Sequence, residues 1–87
     1  LKLLFDEILQ PDGSEFYMRD VKYYIKLNEE VNFYTLCKVA NEKSEIAIGY
    51  RIKKEEKLSH HGIYINPDKT DLIKFSIGDQ IIVLAES

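Results

Sequence analysis

Five consecutive apolar residues, Ile81-Ile82-Val83-Leu84-Ala85, place the strongest constraint on what this chain can fold into. The run is far short of the roughly 20 residues a membrane helix needs. As a strand it has no polar face to turn to water, so it predicts a central strand covered on both sides. The rest of the chain can supply that cover. Its 87 residues are 45% hydrophobic and 31% charged, a balance that excludes disorder. A chain of this length supports one domain, whose core removes roughly 60–65% of the unfolded surface from water. A deep internal active site does not fit within it.

The other elements are read from apolar spacing and turn residues. Residues 3–9 are apolar-rich and run into Gln10-Pro11-Asp12-Gly13, where Pro fixes one corner of a turn and Gly the other. Beyond it, Glu15 to Val21 carries Phe16, Met18 and Val21 as its apolar positions. Two runs about such a turn predict a β-hairpin; Leu1, Leu4 and Ile8 also stand at helical spacing, so a helix is the alternative for the first arm. Val31 to Lys43 predicts a helix, because Phe33, Leu36, Cys37 and Ala40 fall at i, i+3, i+4 and i+7. Asn28 followed by Glu29-Glu30 puts a capping residue and negative charge near its expected start. From Glu45 to Lys53 the sequence alternates, with Ile46, Ile48, Tyr50 and Ile52 on one face and the small residues Ala47 and Gly49 on the other. That second face is flat enough for a helix or another subunit to approach closely. Residues 53–61 predict an exposed loop, Gly62 to Asn66 a short strand stopped by Pro67, and Asp68 to Thr70 a turn. The expected fold class is α+β, a small mixed or antiparallel sheet with one principal helix packed on it.

Few residues carry reactive chemistry. Cys37 is the sole cysteine, which rules out an internal disulfide, and it lies on the apolar helical face, where a buried thiol is inert. His60-His61 are adjacent, so on an extended chain they point apart, and no third metal ligand is spaced nearby. Asp68 with Asp71, and Glu29 with Glu30, are explained by a turn and by a helix start. Arg51, Lys53, Lys54 and Lys57 form a small basic run that Glu55 and Glu56 dilute. The six tyrosines, Tyr17, Tyr23, Tyr24, Tyr34, Tyr50 and Tyr64, could stack bases, but the formal net charge of −3 opposes a phosphate-binding surface. The residues therefore assign no catalytic, cofactor-binding or metal site, leave any ligand-binding residues unknown, and predict a protein that is not an enzyme. A small nucleic-acid-binding β domain is the alternative reading.

Three blocks then stand in order: Glu45-Ile46-Ala47-Ile48-Gly49-Tyr50-Arg51, Gly62-Ile63-Tyr64-Ile65-Asn66-Pro67 and Gly78-Asp79-Gln80-Ile81-Ile82-Val83-Leu84-Ala85-Glu86. This order resembles the C-terminal subdomain of RCK (TrkA-type) potassium-transport regulators. Its wording is closer still to the CASTOR/POLLUX-like ion channels and their bacterial relatives. The resemblance covers roughly residues 27–87. It implies a TrkA-C-like regulatory subdomain there, preceded by residues 1–26 as a β-hairpin lead-in, all within one compact unit. It further implies a piece of a longer potassium-channel-family protein, a soluble domain on the cytoplasmic side of the membrane. That domain senses a small ligand or ion, pairs as a homodimer or higher homo-oligomer, and contacts the rest of its parent. No Gly-x-Gly-x-x-Gly occurs here, so any nucleotide of the parent belongs to an upstream Rossmann-like subdomain rather than to these residues.

Overall fold

The computed structural model describes residues 14–86. The elements are β1 (Ser14–Asp20), β2 (Glu30–Asn32), α1 (Phe33–Glu42), β3 (Ile46–Arg51), β4 (Ile63–Ile65), β5 (Leu72–Lys74) and β6 (Gln80–Glu86). Short 3-10 turns follow β1 at Val21–Tyr23 and β3 at Lys53–Glu55. The first arm of the expected hairpin and its Pro11–Gly13 turn lie outside the described residues. Its second arm is β1.

The run that opened the sequence argument is the inner strand β6. It lies between β1 and β3 in a four-stranded sheet of order β1-β6-β3-β4, every neighbouring pair antiparallel. All of Ile81 to Ala85 are buried. Antiparallel pairing needs no crossover helix, which suits a chain with one helix. On one face, Val21, Phe33, Leu36, Ala40, Tyr50, Ile52, Phe75, Ile81 and Val83 form the core, with the Tyr50 ring edge-on to Phe75 at 5.3 Å and stacked on Tyr64 at 4.9 Å. α1 contributes Phe33, Leu36 and Ala40, as its spacing predicts, with Cys37 half-buried beside them.

Three local expectations are corrected. The helix begins four residues later than Asn28 suggests: Asn32 is the cap, its Oδ1 accepting from Thr35 N at 3.0 Å and Thr35 Oγ1 at 2.9 Å. Asn28 instead takes a left-handed backbone (φ 65°) and donates its N–H to Phe75 O. Val31 and Asn32 pair with Ile73 and Leu72 in a second, two-stranded sheet, β2–β5, that the sequence does not announce. In β3 the pairing with β6 slips between Ala47 and Gly49, a bulge that changes which side chains face inward. Ala47 therefore packs against the core while Ile46 is 55% exposed, and Ala47 and Gly49 do not share a flat face. What approaches Gly49 is the β4 backbone, since a Cβ there would run into the Tyr64 carbonyl. Finally, of the apolar positions Phe16, Met18 and Val21 in the run from Glu15 to Val21 only Val21 is buried; Phe16 and Met18 are 54% and 44% exposed.

Candidate interaction surface

Directly opposed residues in a sheet point to the same side, so the strand register assigns each face. Opposite the core, one row is Phe16–Leu84–Ile46 and the next is Met18–Ile82–Gly49–Ile65. The third row, Asp20–Gln80–Arg51–Ile63, is polar except at its end. The two apolar rows follow from β6 itself: a strand apolar at every position must put half of its side chains on the second face. There, Arg51 spans the polar row, its Nη1 3.5 Å from Gln80 Oε1 and its Nη2 3.2 Å from Glu56 Oε2. Its buried Nε has no partner among the described residues.

A cleft of about 540 Å³ lies beside the sheet, lined by Arg19, Asp20, Tyr23, Tyr24, Lys43 and Glu45. Glu45 sits at its base, because Glu45 N closes onto Ala40 O at the end of α1 and its carboxylate turns toward β1. Glu45 Oε1 accepts from Tyr24 Oη at 2.5 Å and Oε2 stands 3.4 Å from Arg19 Nε. Arg19 also lies over the Tyr17 ring, and Lys43 over Tyr24. Arg19, Lys43 and Glu45 thus each face an opposite charge or a ring, Asp20 Oδ1 accepts from Lys22 N, and the cleft presents no nucleophile–base pair. A second cleft, about 490 Å³, is lined by Lys53, Lys54, Lys57, Ile77 and Asp79, among others. Asp79 is 3% exposed and accepts two backbone amides, Lys53 N at 2.9 Å and Ser76 N at 2.8 Å.

The residues weighed for chemistry are not brought together. His60 Nδ1 accepts from Gly62 N at 3.1 Å, and exposed His61 shapes the turn with a φ of 55°. Asp68 Oδ1 accepts from Thr70 N and Oγ1, bonds that hold its carboxyl below the usual carboxylate range. Burial pushes the Cys37 thiol up, away from the reactive thiolate. Glu29 pairs with Lys26 at 3.6 Å on the surface and Glu30 stands opposite Lys74. Tyr50 and Tyr64 serve the core, while Tyr23 and Tyr34 are exposed. No group of three or more His, Cys, Asp or Glu suited to a metal occurs among the described residues. Sequence reasoning placed Glu45 and Asp79 within the ordered blocks but gave their side chains no role, because Tyr24 and Lys53, which they bond, lie 21 and 26 residues away. It could have found the second apolar face, since Ile82 and Leu84 must point somewhere.

Three tyrosines titrate above their ordinary value of 10.0: Tyr24 through burial and then its bond to Glu45, Tyr50 through burial, and Tyr64 through its bond to Glu55. A raised folded-state value means that the neutral phenol is favoured by folding. That stability is fully present below pH 10 and is lost as pH rises through the folded values. Urea melts from pH 8 to 11.5 should show stability falling above pH 10, and falling less in Tyr24→Phe. An equal alkaline loss in both proteins would contradict the Tyr24–Glu45 contact.

No family model matches the chain. Over 82 residues, 93% of its length, it is 38% identical to the probable ion channel POLLUX of Arabidopsis thaliana. It is 30% identical over 83 residues to the ion channel CASTOR of Lotus japonicus and to the ion channel DMI1 of Medicago truncatula, covering 95% and 94% of the chain. The chain is homologous to a stretch of the CASTOR/POLLUX-type ion channels. It spans 9% of the length of each of these channels. The similarity extends past residues 27–87 to nearly the whole chain, so β1 and the residues before Val31 share in it. The channels are named for ion conduction and not for a chemical reaction, consistent with polar groups that are spent on structure. No helix among the described residues is long and apolar enough to cross a membrane.

Proposed function

We propose that this chain is a regulatory, ligand-sensing domain of a potassium-channel-family ion-transport protein, held on the cytoplasmic side of the membrane, and that it works by association. Copies pair, a small ligand or ion alters the pairing, and the change is passed to the rest of the parent. The reading is carried by the homology to ion channels along more than nine-tenths of the chain. It is supported by the three ordered blocks, which here form β3, β4 and β6 of one sheet. The energetic requirement is that the ligand bind two arrangements with different affinity, because equal affinity shifts nothing.

Light scattering at high micromolar concentration should give a mass at or above twice 10.2 kDa. A thermal-shift screen of cyclic dinucleotides, adenine nucleotides and divalent cations should find a stabilising ligand. At a hundredfold excess over Kd such a ligand adds about 2.7 kcal/mol, a melting shift on the order of 10 °C for a domain of this size. A strict monomer that no such compound shifts would overturn the proposal.

A further inference from the structure

In the sequence, Lys53, Lys54 and Lys57 share one run with Glu55 and Glu56, an arrangement that suggests mutual neutralisation. The fold separates them. Glu55 Oε1 accepts from Tyr64 Oη of β4 at 2.5 Å, and Glu56 Oε2 stands 3.2 Å from Arg51 Nη2 at the end of β3. Both acids are thereby turned to other partners. None of the three lysines has an ion-pair partner among the described residues. All three line the cleft of about 490 Å³, together with Glu56, Ser76, Ile77 and Asp79. The Asp79 carboxylate is 3% exposed, and its two oxygens accept from Lys53 N and Ser76 N. With Arg51 behind Glu56, four positive charges stand against two negative ones, on a chain whose formal net charge is −3.

We propose that this cleft, between the 53–57 turn and the 76–79 turn, binds a compact anion bearing several phosphate charges. Lys53, Lys54 and Lys57 supply the countercharge. Three like charges around one concavity repel each other, and an anion placed among them removes that repulsion. Lysine binds phosphate as a point charge, whereas a planar carboxylate is better matched by the fork of an arginine, which this lining lacks. No aromatic ring is among the described lining residues, so the cleft offers a nucleic-acid strand nothing to stack on. Its volume suits a small molecule or a single headgroup. Gly78 shapes it: φ is 93°, and a Cβ there would come within 2.7 Å of Lys53 Cδ, so the missing side chain leaves room for the lysine stem. The lining belongs to one copy of the chain and needs no second. As the ligand class for the sensing role, the proposal rests on the function proposed above. The phosphates can come from a free molecule or from a lipid, since both present the same charged oxygens.

Calorimetric titration of the full 87-residue chain with inorganic tripolyphosphate reads the free source. Flotation with phosphatidylcholine vesicles containing phosphatidylinositol bisphosphate reads the lipid source. At least one should bind, and which one does assigns the source. Lys53→Gln/Lys54→Gln/Lys57→Gln, all at exposed positions, should weaken that binding by roughly tenfold or more, as the loss of three charge contacts implies. Lys22→Gln/Lys26→Gln/Lys38→Gln removes the same charge elsewhere and should weaken it less than about threefold, the long-range part that salt screens. No binding of either probe, or equal loss in the two triple variants, would overturn the site. In the unmodified chain, tripolyphosphate should shift the amide resonances of Ser76, Ile77 and Gly78; shifts confined to other segments would also overturn it. Light scattering with and without the anion reads pairing separately. Binding with no change in mass supports the site and counts against the regulatory reading. Pairing driven by another compound, with neither probe bound, supports that reading and overturns the site alone.

Discussion

Gly49→Val is expected to cost at least about 4 kcal/mol, a loss large enough to unfold a domain whose whole stability is of order 4–13 kcal/mol. Gly49 pairs with Ile82 on one side and Ile65 on the other. A Cβ at this position would collide with the Tyr64 carbonyl oxygen and press within 3.1 Å of Ile65 Cα. Both are backbone atoms, so no side chain can rotate away. β4 must move, and it carries Tyr64, whose ring stacks on Tyr50 and whose hydroxyl reaches Glu55 at 2.5 Å. The clash thus reaches the core through a three-residue strand with few other bonds to hold it. Urea denaturation of the valine variant beside the parent measures the loss. A difference under 1 kcal/mol would show that β4 does not lie where this register puts it.

Asp79→Ala is the second large effect, at about 3 kcal/mol. The carboxylate is almost wholly buried and answers two amides from segments 26 and 3 residues away in sequence, Lys53 N and Ser76 N. Removing it leaves both part-buried donors without their acceptor, and a buried group so stranded costs roughly 1–3 kcal/mol. The same residue's carbonyl accepts from Val21 N, so the site joins the exits of β1 and β3 to the entry of β6. Asp79→Asn keeps one acceptor oxygen and should lose about half as much. If the alanine and asparagine variants are equally stable, the second hydrogen bond contributes nothing and the argument from unsatisfied amides fails.

How much of this was legible depends on how far apart the interacting residues lie. The inner strand β6 was legible because five apolar neighbours suffice to identify it. The core face of α1 was legible because its spacing is local. The three blocks carried the resemblance to CASTOR/POLLUX-like channels, and the relatives bear it out. The candidate surface was half legible: an all-apolar strand requires a second covered face, yet Phe16 and Met18 read as ordinary apolar positions until β1 took its place beside β6. β2 and β5 were hidden, since three residues such as Glu30-Val31-Asn32 have no strand pattern and become a strand only by meeting Leu72–Lys74.

The sequence by itself determined the class of fold, the inner strand, the apolar stripe of the helix and the kinship with ion channels. All of these rest on periodicity or on residue order within a few positions. Tertiary structure alone decided the bulge that turns Ile46 outward, the helix start at Asn32, the carboxylates of Glu45 and Asp79, and which side of the sheet α1 packs on. Those features arise where residues distant along the chain come into register, and a one-residue slip in that register exchanges inside for outside.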